Sequence, residues 1–527
     1  MARVLVTDNL SKEGVKVLEE AGLEVDVDND LSPGKLKEII SDYDAILIRS
    51  KTKMPAEIIE KAENLKVIGR AGIGVDHIDI EAATKKGIAV MNTPGGNAVS
   101  TAEHTLAMIF SLMRNIPQAY CSMKEEKWEK KKFPGRELHG KTLGVIGLGK
   151  IGKIVAQKAK AMGIKVLGYD AFISEESVEK MGFTYTNFEN IIRESDIITV
   201  HTPLNDDTRG LISEEQFKYM KDGAYVVNCA RGGIIDEEDL LKALDSGKVA
   251  GAAVDVYTQE PPKDWSLPLH PKIVPTPHLA ASTKEAQITV AKQVADQAVT
   301  ALKDQVFINA LNVPDLDKET LRKMDKYIRL AEKLGNVAAQ IIDGGISSLK
   351  IRYSGEELTR ENVTPLTIAV GKGLLDHIHD VPANHINAPE LLKEAGIEVE
   401  ESKVSESHDF AHLITVEIKT DKGKSLVGGT TFGKNDPRLV RVNEYMVDIS
   451  LKGNILYILN DDKPGFIGAT GTYLGKQGIN IGFMSVGRKE KGTKALTLMV
   501  VDEEVSKEQL KAIQEIPQVK KVRLIKA

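Results

Sequence analysis

Thr142-Leu143-Gly144-Val145-Ile146-Gly147-Leu148-Gly149-Lys150-Ile151-Gly152 decides how this chain is read. An apolar strand pattern, Thr142–Ile146, runs into Gly147-x-Gly149-x-x-Gly152, and a helix pattern, Ile151–Met162, opens inside the glycine repeat. In such a strand–turn–helix the first glycine permits the tight turn. The second lets backbone approach a pyrophosphate, and the third lets the helix pack on the strand. The helix N-terminus offers unpaired N–H groups and a partial positive charge to phosphates. The next strand ends Gly168-Tyr169-Asp170, so Asp170 stands 18 residues past Gly152. An acid that accepts the ribose hydroxyls lies about 20 residues on. Asp170 would also repel a 2′-phosphate, and Ala171 and Phe172 supply no arginine to hold one. The stretch therefore predicts a Rossmann-type dinucleotide domain that takes NAD rather than NADP.

Outward from this stretch the βα alternation continues. Lys165–Gly168, Ile197–Val200, Ala224–Asn228, Gly251–Val256 and Lys272–Pro275 read as strands. Upstream, so do Val4–Thr7, Val25–Asp28, Ala45–Ile48, Val67–Gly69 and Ala89–Met91, with helix patterns at Gly14–Ala21 and Leu36–Ser41 between them. Continuous apolar strands alternating with helices mean parallel sheets covered on both faces. One long helix is expected over Thr101–Lys131, its charged tail Lys124–Lys132 a solvated end. The helix pattern Lys284–Leu302 is expected to pack back on the first domain. Asn309–Asp317, with Pro314, reads as a linker. Residues 318–450 mix helix and strand, and Asn454–Ala527 follows the β-α-β-β-α-β order of a ferredoxin-like module. The expected division is 1–97 with 283–307, then 98–282, 308–452 and 453–527.

Composition narrows the function. The 527 residues suggest several domains. With 70 basic and 76 acidic residues the formal net charge is −6, and no long basic run appears, which argues against nucleic acid or an anionic membrane as partner. Two cysteines, Cys121 and Cys229, build neither a disulfide framework nor a multi-cysteine metal site, so no metal is expected. The apolar run after Met1 is too short for a signal peptide, and no uncharged run is long enough to span a bilayer. A cytoplasmic location is the expectation.

The chemistry must come from the C-terminal ends of the strands, where a parallel sheet presents ligands. Three such ends carry candidates: Cys229-Ala230-Arg231-Gly232-Gly233, then Asp255 leading to Glu260, then Thr276-Pro277-His278. Hydride transfer from a hydroxy acid needs a base for the hydroxyl proton, which suits imidazole, and a cation for the carboxylate, which suits guanidinium. Glu260 would fix the tautomer of the histidine. His201 also follows a strand, so this reading alone leaves His201 and His278 as alternatives.

The motifs in order resemble the D-isomer-specific 2-hydroxyacid dehydrogenases. They are Gly147–Gly152, His201-Thr202-Pro203-Leu204 through Thr208, Asn228-Cys229-Ala230-Arg231-Gly232-Gly233-Ile234-Ile235-Asp236, Asp255-Val256-Tyr257 with Glu260, and Thr276-Pro277-His278. The resemblance covers about residues 1–305. It implies that Arg231 binds substrate, Glu260 orients, and His278 is the acid/base, which chooses against His201. It further implies NAD contacts from Gly147, Gly149, Lys150, Ile151, Gly152, Asp170, Thr202, Cys229, Ala230, Arg231, Asp255, His278, Leu279, Ala280 and Ala281. Within the family, Ile48-Arg49-Ser50-Lys51-Thr52 and Val67–Asp76 look like the substrate-side loops of members that oxidise D-3-phosphoglycerate at C2. Arg49 and Arg70 would meet carboxylate and phosphate charge, and Ser50, Gly72 and Gly74 would donate hydrogen bonds. Lys130–Lys132 would assist with the phosphate.

The C-terminal module resembles an ACT domain, a small effector-binding unit, through Asn460-Asp461-Asp462-Lys463-Pro464-Gly465 and Gly478-Ile479-Asn480-Ile481. The resemblance implies an effector held by Asp462, Pro464, Gly465 and Asn480, with L-serine the effector the pathway suggests. Asn460 and Asp462 stand where many serine-regulated members carry His and Asn. Residues 318–450 resemble the α+β intervening domain of the long form, where Lys434, Arg438 and Arg441 form a basic cluster. The α/β fold class expected is thus a Rossmann-type NAD domain and a flavodoxin-like substrate domain, followed by the α+β and ferredoxin-like βαββαβ modules. A homo-oligomer, a tetramer in this family, is expected. The rival readings are a dehydrogenase of another acid such as glycerate, and a dinucleotide-sensing corepressor that keeps the same fold.

Overall fold

The computed structural model describes residues 1–313, 318–378, 382–405, 410–433 and 436–527. Its first sheet is made of β1 (Arg3–Val6), β2 (Glu24–Val27), β3 (Ala45–Ile48), β4 (Val67–Arg70) and β5 (Ala89–Asn92). All pairs are parallel, in the order β2-β1-β3-β4-β5. Every residue of β3 is buried, as a central parallel strand covered on both faces requires. The helix Lys284–Asp304 returns to cover this sheet, packing Val290, Ala291, Val294, Ala295 and Ala298 against Val4, Val6, Leu47 and Val67. Two glycines permit that approach. A Cβ at Gly14 would stand 2.7 Å from the Ala291 carbonyl oxygen, and one at Gly69 would stand 2.7 Å from Val294 Cγ2.

The second sheet holds β6 (Thr142–Ile146), β7 (Lys165–Tyr169), β8 (Thr184–Tyr185), β9 (Ile197–Val200), β10 (Ala224–Asn228), β11 (Val249–Val254) and β12 (Ile273–Pro275). It is parallel throughout, in the order β12-β11-β10-β9-β6-β7-β8. Its strand order reverses between β6 and β9, the switch point beside which a doubly wound sheet binds its ligand. The α/β expectation holds for both sheets, and the two-residue β8 is an addition to it.

Two local expectations fail. The helix expected over Thr101–Lys131 is two helices, Ala98–Met113 and Ile116–Lys124. Asn115 between them has φ 52°, a left-handed conformation that asparagine tolerates, and Pro117 suits the first turn of a new helix while opposing continuation of the old one. The charged tail beyond Lys124 is an exposed turn, in which Lys127 pairs with Glu125 and Lys132 with Glu129. The other failure is the start of the presumed linker. Val90 N–H donates to Asn312 Oδ1 at 2.9 Å, and Ala310 bridges to Met91 antiparallel, so Asn309–Asn312 docks on the edge of β5. The Asn312 side chain, with the backbone of Asn309 and Leu311, stands in for the missing strand there. The remainder, Pro314–Asp317, lies outside the described residues.

The third sheet is mixed, in the order β14-β13-β15-β16-β17-β18. It comprises β13 (Ile346–Ser354), β14 (Glu398–Val404), β15 (Leu413–Thr420), β16 (Gly423–Phe432), β17 (Asp436–Val442) and β18 (Tyr445–Ser450). Helices Lys318–Ile341 and Thr364–Ile378 pack on it and touch each other at Gly335 and Gly373, where any Cβ would overlap the opposing backbone. The fourth sheet is antiparallel, with β19 (Asn454–Asp461), β20 (Ile481–Arg488), β21 (Lys494–Val501) and β22 (Val519–Lys526) in the order β20-β21-β19-β22. Helices Phe466–Lys476 and Lys507–Gln514 cover one face through Leu456, Ile458, Leu474 and Ile513. The opposite face contributes Ile455, Tyr457, Leu498 and Ile525 to the same core as Leu330 and Leu334 of the third unit. Among the described residues no helix is long and apolar enough to cross a membrane.

Candidate active site

Three neighbouring parallel strands, β10, β11 and β12, end at one edge of the second sheet, and the candidate residues follow those ends. Behind β11 sits Asp255, fully buried. Its carboxylate accepts from Thr276 Oγ1 at 2.6 Å, Leu279 N–H at 2.7 Å and Ala280 N–H at 3.0 Å, and lies 3.3 Å from His104 Nε2. Burial alone would raise this carboxyl; the hydrogen bonds from His104, Thr276 and the two backbone N–H groups outweigh it and hold it below the ordinary range. The effect is mechanical. Asp255 clamps the loop 276–280, and its own carbonyl accepts from His278 N–H at 2.8 Å. That clamp holds His278 at φ 54°, a region a non-glycine residue rarely adopts.

So presented, His278 meets Glu260. Nδ1 lies 2.6 Å from Glu260 Oε2, while the other carboxylate oxygen accepts from Tyr257 N–H at 3.1 Å. Burial raises the Glu260 carboxyl, but the hydrogen bond and charge of His278 outweigh this and leave it lowered. An ionised carboxylate on Nδ1 makes that nitrogen the donor and leaves Nε2 free to accept. Arg231 stands one strand over. The residue after it, Gly232, packs so tightly on Tyr257 and Thr258 that a Cβ would overlap their backbone, which ties the arginine loop to the Glu260 loop. Asn228 braces the turn from within, donating to the Arg231 carbonyl at 2.9 Å and accepting from Ala230 N–H at 3.0 Å.

Arg231 reaches toward the first sheet. Its Nε donates to Asp76 at 3.2 Å, and a Cβ at Gly74 would overlap its guanidinium. Arg70 lies over Gly72 in the same manner. Its guanidinium is pushed down to about 10 by burial and by the charges of Arg231 and Arg49. Arg49 is held through its backbone. Buried Asp8 accepts from Arg49 N–H at 2.8 Å, from Thr52 N–H at 2.9 Å and from Thr52 Oγ1 at 2.6 Å. Ser50 sits exposed in that loop. Sequence reading gave Asp8 and Asp76 no role; for Asp8, its place as an acid just past the end of β1 is the signal that would have found it.

The glycine turn fits a dinucleotide. A Cβ at Gly149 would meet nothing within 4 Å, so space is open above the N-terminus of the helix Lys150–Ala161. Gly147 has φ 91°, and a Cβ at Gly152 would overlap the Gly147 carbonyl. Asp170 accepts from Leu148 N–H at 2.8 Å and Phe172 N–H at 2.9 Å, placing its carboxylate beside the turn. Thr202 Oγ1 is buried without a partner, an orphan polar atom next to Gly147. Lys150 Nζ donates to the Pro94 carbonyl at 2.5 Å, crossing between the two α/β units. Ile151 lies in the first turn of that helix; Ala230 and Ala281 are half-buried and Leu279 is exposed. Cys229 is buried, and burial with the Asp255 charge pushes its thiol well up, so it stays protonated at neutral pH. His201 takes a different place. It packs beneath Gly147 and Gly152, its Nε2 is 3.1 Å from Thr199 Oγ1, and burial pushes it down to about 4.

The four effector candidates are not brought together. Asp462, past the end of β19, accepts from Gly492 N–H at 3.0 Å and Arg488 Nη1 at 3.2 Å, and these hold its carboxyl down. Pro464 and Gly465 lead into the helix Phe466–Lys476 beside it. Asn480 precedes β20 and donates to Asp502 and Glu503, beyond the far end of β21. The eight residues of β21 lie between these ends, a span of about 23 Å at roughly 3.3 Å per residue. In the third unit Arg438 is paired with Asp448 and Arg441 donates to the Asn443 carbonyl, while Lys434 lies outside the described residues. Lys130–Lys132 form an exposed turn.

Comparison with known proteins agrees across the chain. Residues 106–280 match the D-isomer specific 2-hydroxyacid dehydrogenase NAD binding domain, 323–443 the D-3-phosphoglycerate dehydrogenase intervening domain, and 454–518 the ACT domain. D-3-phosphoglycerate dehydrogenase of Methanocaldococcus jannaschii is 43% identical, with 100% of both chains covered. The Bacillus subtilis enzyme of that name is 40% identical over 100% of this chain and 99% of its own. Among solved structures, D-lactate dehydrogenase from Aquifex aeolicus complexed with NAD and lactic acid matches with TM-score 0.53 and 30% identity, over 59% of this chain and all of its own.

Proposed function

Because the chain belongs to the D-3-phosphoglycerate dehydrogenases, NAD-dependent members of the D-isomer-specific 2-hydroxyacid dehydrogenase family, we propose that it oxidises the C2 hydroxyl of D-3-phosphoglycerate, giving 3-phosphohydroxypyruvate, with Arg231, Glu260 and His278 as its working set. NAD, held by Gly147–Gly152, Asp170 and Thr202, supplies the hydride acceptor. His278 Nε2 takes the hydroxyl proton as the C2–H bond breaks. Glu260 on Nδ1 fixes that tautomer and stabilises the imidazolium that results. Arg231 forks the substrate carboxylate and polarises the forming carbonyl. Arg49 and Arg70, with Ser50 and the backbone at Gly72 and Gly74, meet the phosphate.

One observation carries this reading. Three arginines, 49, 70 and 231, converge on one cleft. Arg70 lies over Gly72 and Arg231 over Gly74 of the same loop, and Arg70 is pushed down by burial first and then by the charges of Arg231 and Arg49. The loop bearing Arg231 packs on the Tyr257–Thr258 backbone beside Glu260, the carboxylate that holds His278. Like charges assembled at such cost call for a polyanion. A lactate-sized monoacid would not need them. The expected outcome in an NADH absorbance assay is turnover of D-3-phosphoglycerate well above that of D-glycerate. Faster oxidation of unphosphorylated glycerate overturns the substrate assignment.

The ACT domain supports a small-molecule effector, and L-serine is the one proposed; adding it to the same assay tests for inhibition. We further propose a homo-oligomer, a tetramer by family. The exposed apolar side chains Phe110, Ile116, Tyr120, Met123 and Trp128 on and after the paired helices of the NAD unit support it. The proposed domain division is 1–97 with 283–307, 98–282, 308–452 and 453–527, each with its own sheet.

A further inference from the structure

Arg231 has three ways to spend its guanidinium, and two are taken. Nη1 donates to the carbonyl of its own neighbour Ala230 at 2.7 Å, an internal bond that sets the plane of the group. This leaves the Nε–Nη2 edge, the fork that fits a carboxylate in two-point fashion. Nη2 lies over the α-carbon of Gly74, and on Nε at 3.2 Å sits Asp76 Oδ2. Asp76 arises from the loop after β4 in the first unit, Arg231 from the loop after β10 in the second, so the pair spans the cleft. The Asp76 side chain is 63% exposed and makes one long contact, whereas a substrate carboxylate would make two.

We propose that Asp76 is the resting counter-ion of Arg231, a placeholder carboxylate that the carboxylate of the substrate displaces. The proposal rests on the assignment of Arg231 to that carboxylate. Asp76 is on this account a positioning residue. In the free protein it offsets the mutual repulsion of Arg49, Arg70 and Arg231. When a hydroxy acid binds, its own negative groups take over that task and Asp76 swings to water, to which it is already open. Its presence keeps the guanidinium aimed into the cleft and weakens binding, because each arriving anion must break the pair.

Asp76→Asn separates this from a scaffolding role. An exposed ion pair shifts an equilibrium by about 1.5- to 5-fold. The expected result is a KM for D-3-phosphoglycerate lowered about threefold, a smaller change in kcat, an unchanged KM for NAD and a lowered Tm of the free protein. Asp76→Glu, which keeps the charge, restores the original KM. In an Arg231→Lys background, where the fork is gone, Asp76→Asn loses at least half of its effect. A raised or unmoved KM in Asp76→Asn overturns the placeholder while leaving the Arg231 assignment standing. Full activity and unchanged KM in Arg231→Lys removes both.

Discussion

Glu260 and His278 are separated by 18 positions, and so are Asp462 and Asn480. The first pair ends 2.6 Å apart; the second ends on opposite edges of a sheet. Both pairs combine an acid with a polar partner, and in both the acid lies in the segment that leaves a strand. What differs is which strand ends they occupy. Glu260 follows β11 and His278 follows β12, and parallel neighbours bring their C-terminal ends to one edge. Asp462 follows β19, whereas Asn480 precedes β20. The helix Phe466–Lys476 between them carries the chain back to the starting edge, as any βα crossover does. Equal spacing therefore means opposite things depending on whether two residues stand end-to-end or end-to-start.

The largest way to test the first half of this comparison is to remove the residue delivered by β12. His278→Ala should cut kcat by roughly 10²–10⁴, the usual worth of a general acid–base group. NADH binding, followed by fluorescence titration, should persist, since the glycine turn lies on the other side of the switch point. Turnover within a few-fold of the parent protein would mean that the Glu260–His278 contact is architectural.

The same distinction explains what the sequence made legible. Continuous apolar runs announced both parallel sheets, and strand ends followed by Arg231, Glu260 and His278 announced the edge at which to look. The Gly147–Gly152 turn was readable because each glycine answers a local steric demand. Asp76 was not. Its partner is 155 positions away on the other unit, and no local pattern encodes a contact across a cleft. The break at Asn115 was readable in principle from Pro117, but the apolar face of the helix Ala98–Met113 continues in register past it and hides the turn. Asp255 was read as a cofactor contact by family; the structure gives it the bonds of a clamp on the His278 loop. Nothing in composition distinguishes those uses of a buried acid.

Sequence periodicity also left two histidines equivalent, and a second test separates them by pH. His201, beneath the glycine turn, is lowered from 6.5 to about 4 by burial. In the unfolded chain it takes up a proton below about 6.5; in the folded protein it stays neutral until about 4. Its contribution is therefore complete above 6.5 and is lost as pH falls toward 4, a fall of up to about 3 kcal/mol at 1.36 kcal/mol per pH unit. His201→Gln should flatten that part of the stability curve in denaturant titrations at successive pH values. An unchanged slope between pH 6.5 and 4 would show that solvent reaches the ring.

The smallest effects give the sharpest form of the opening comparison, because one experiment can be run on both pairs. Residues in contact couple by about 0.5–3 kcal/mol in a double-mutant cycle, and residues far apart add within about 0.3–0.5 kcal/mol. For Glu260→Gln with His278→Gln, the unfolding free energies should depart from additivity, since each side chain is the hydrogen-bond partner of the other. For Asp462→Asn with Asn480→Ala they should add, because Asp462 answers to Arg488 and Gly492 while Asn480 answers to Asp502 and Glu503. Coupling in the second pair would have to pass through a contact between copies of the chain, since the path within one copy runs the length of β21. Repeating the cycle across a hundredfold range of protein concentration decides that. A coupling that grows with concentration places the two residues on facing edges of two ACT modules. A coupling independent of it contradicts the end-to-start placement itself.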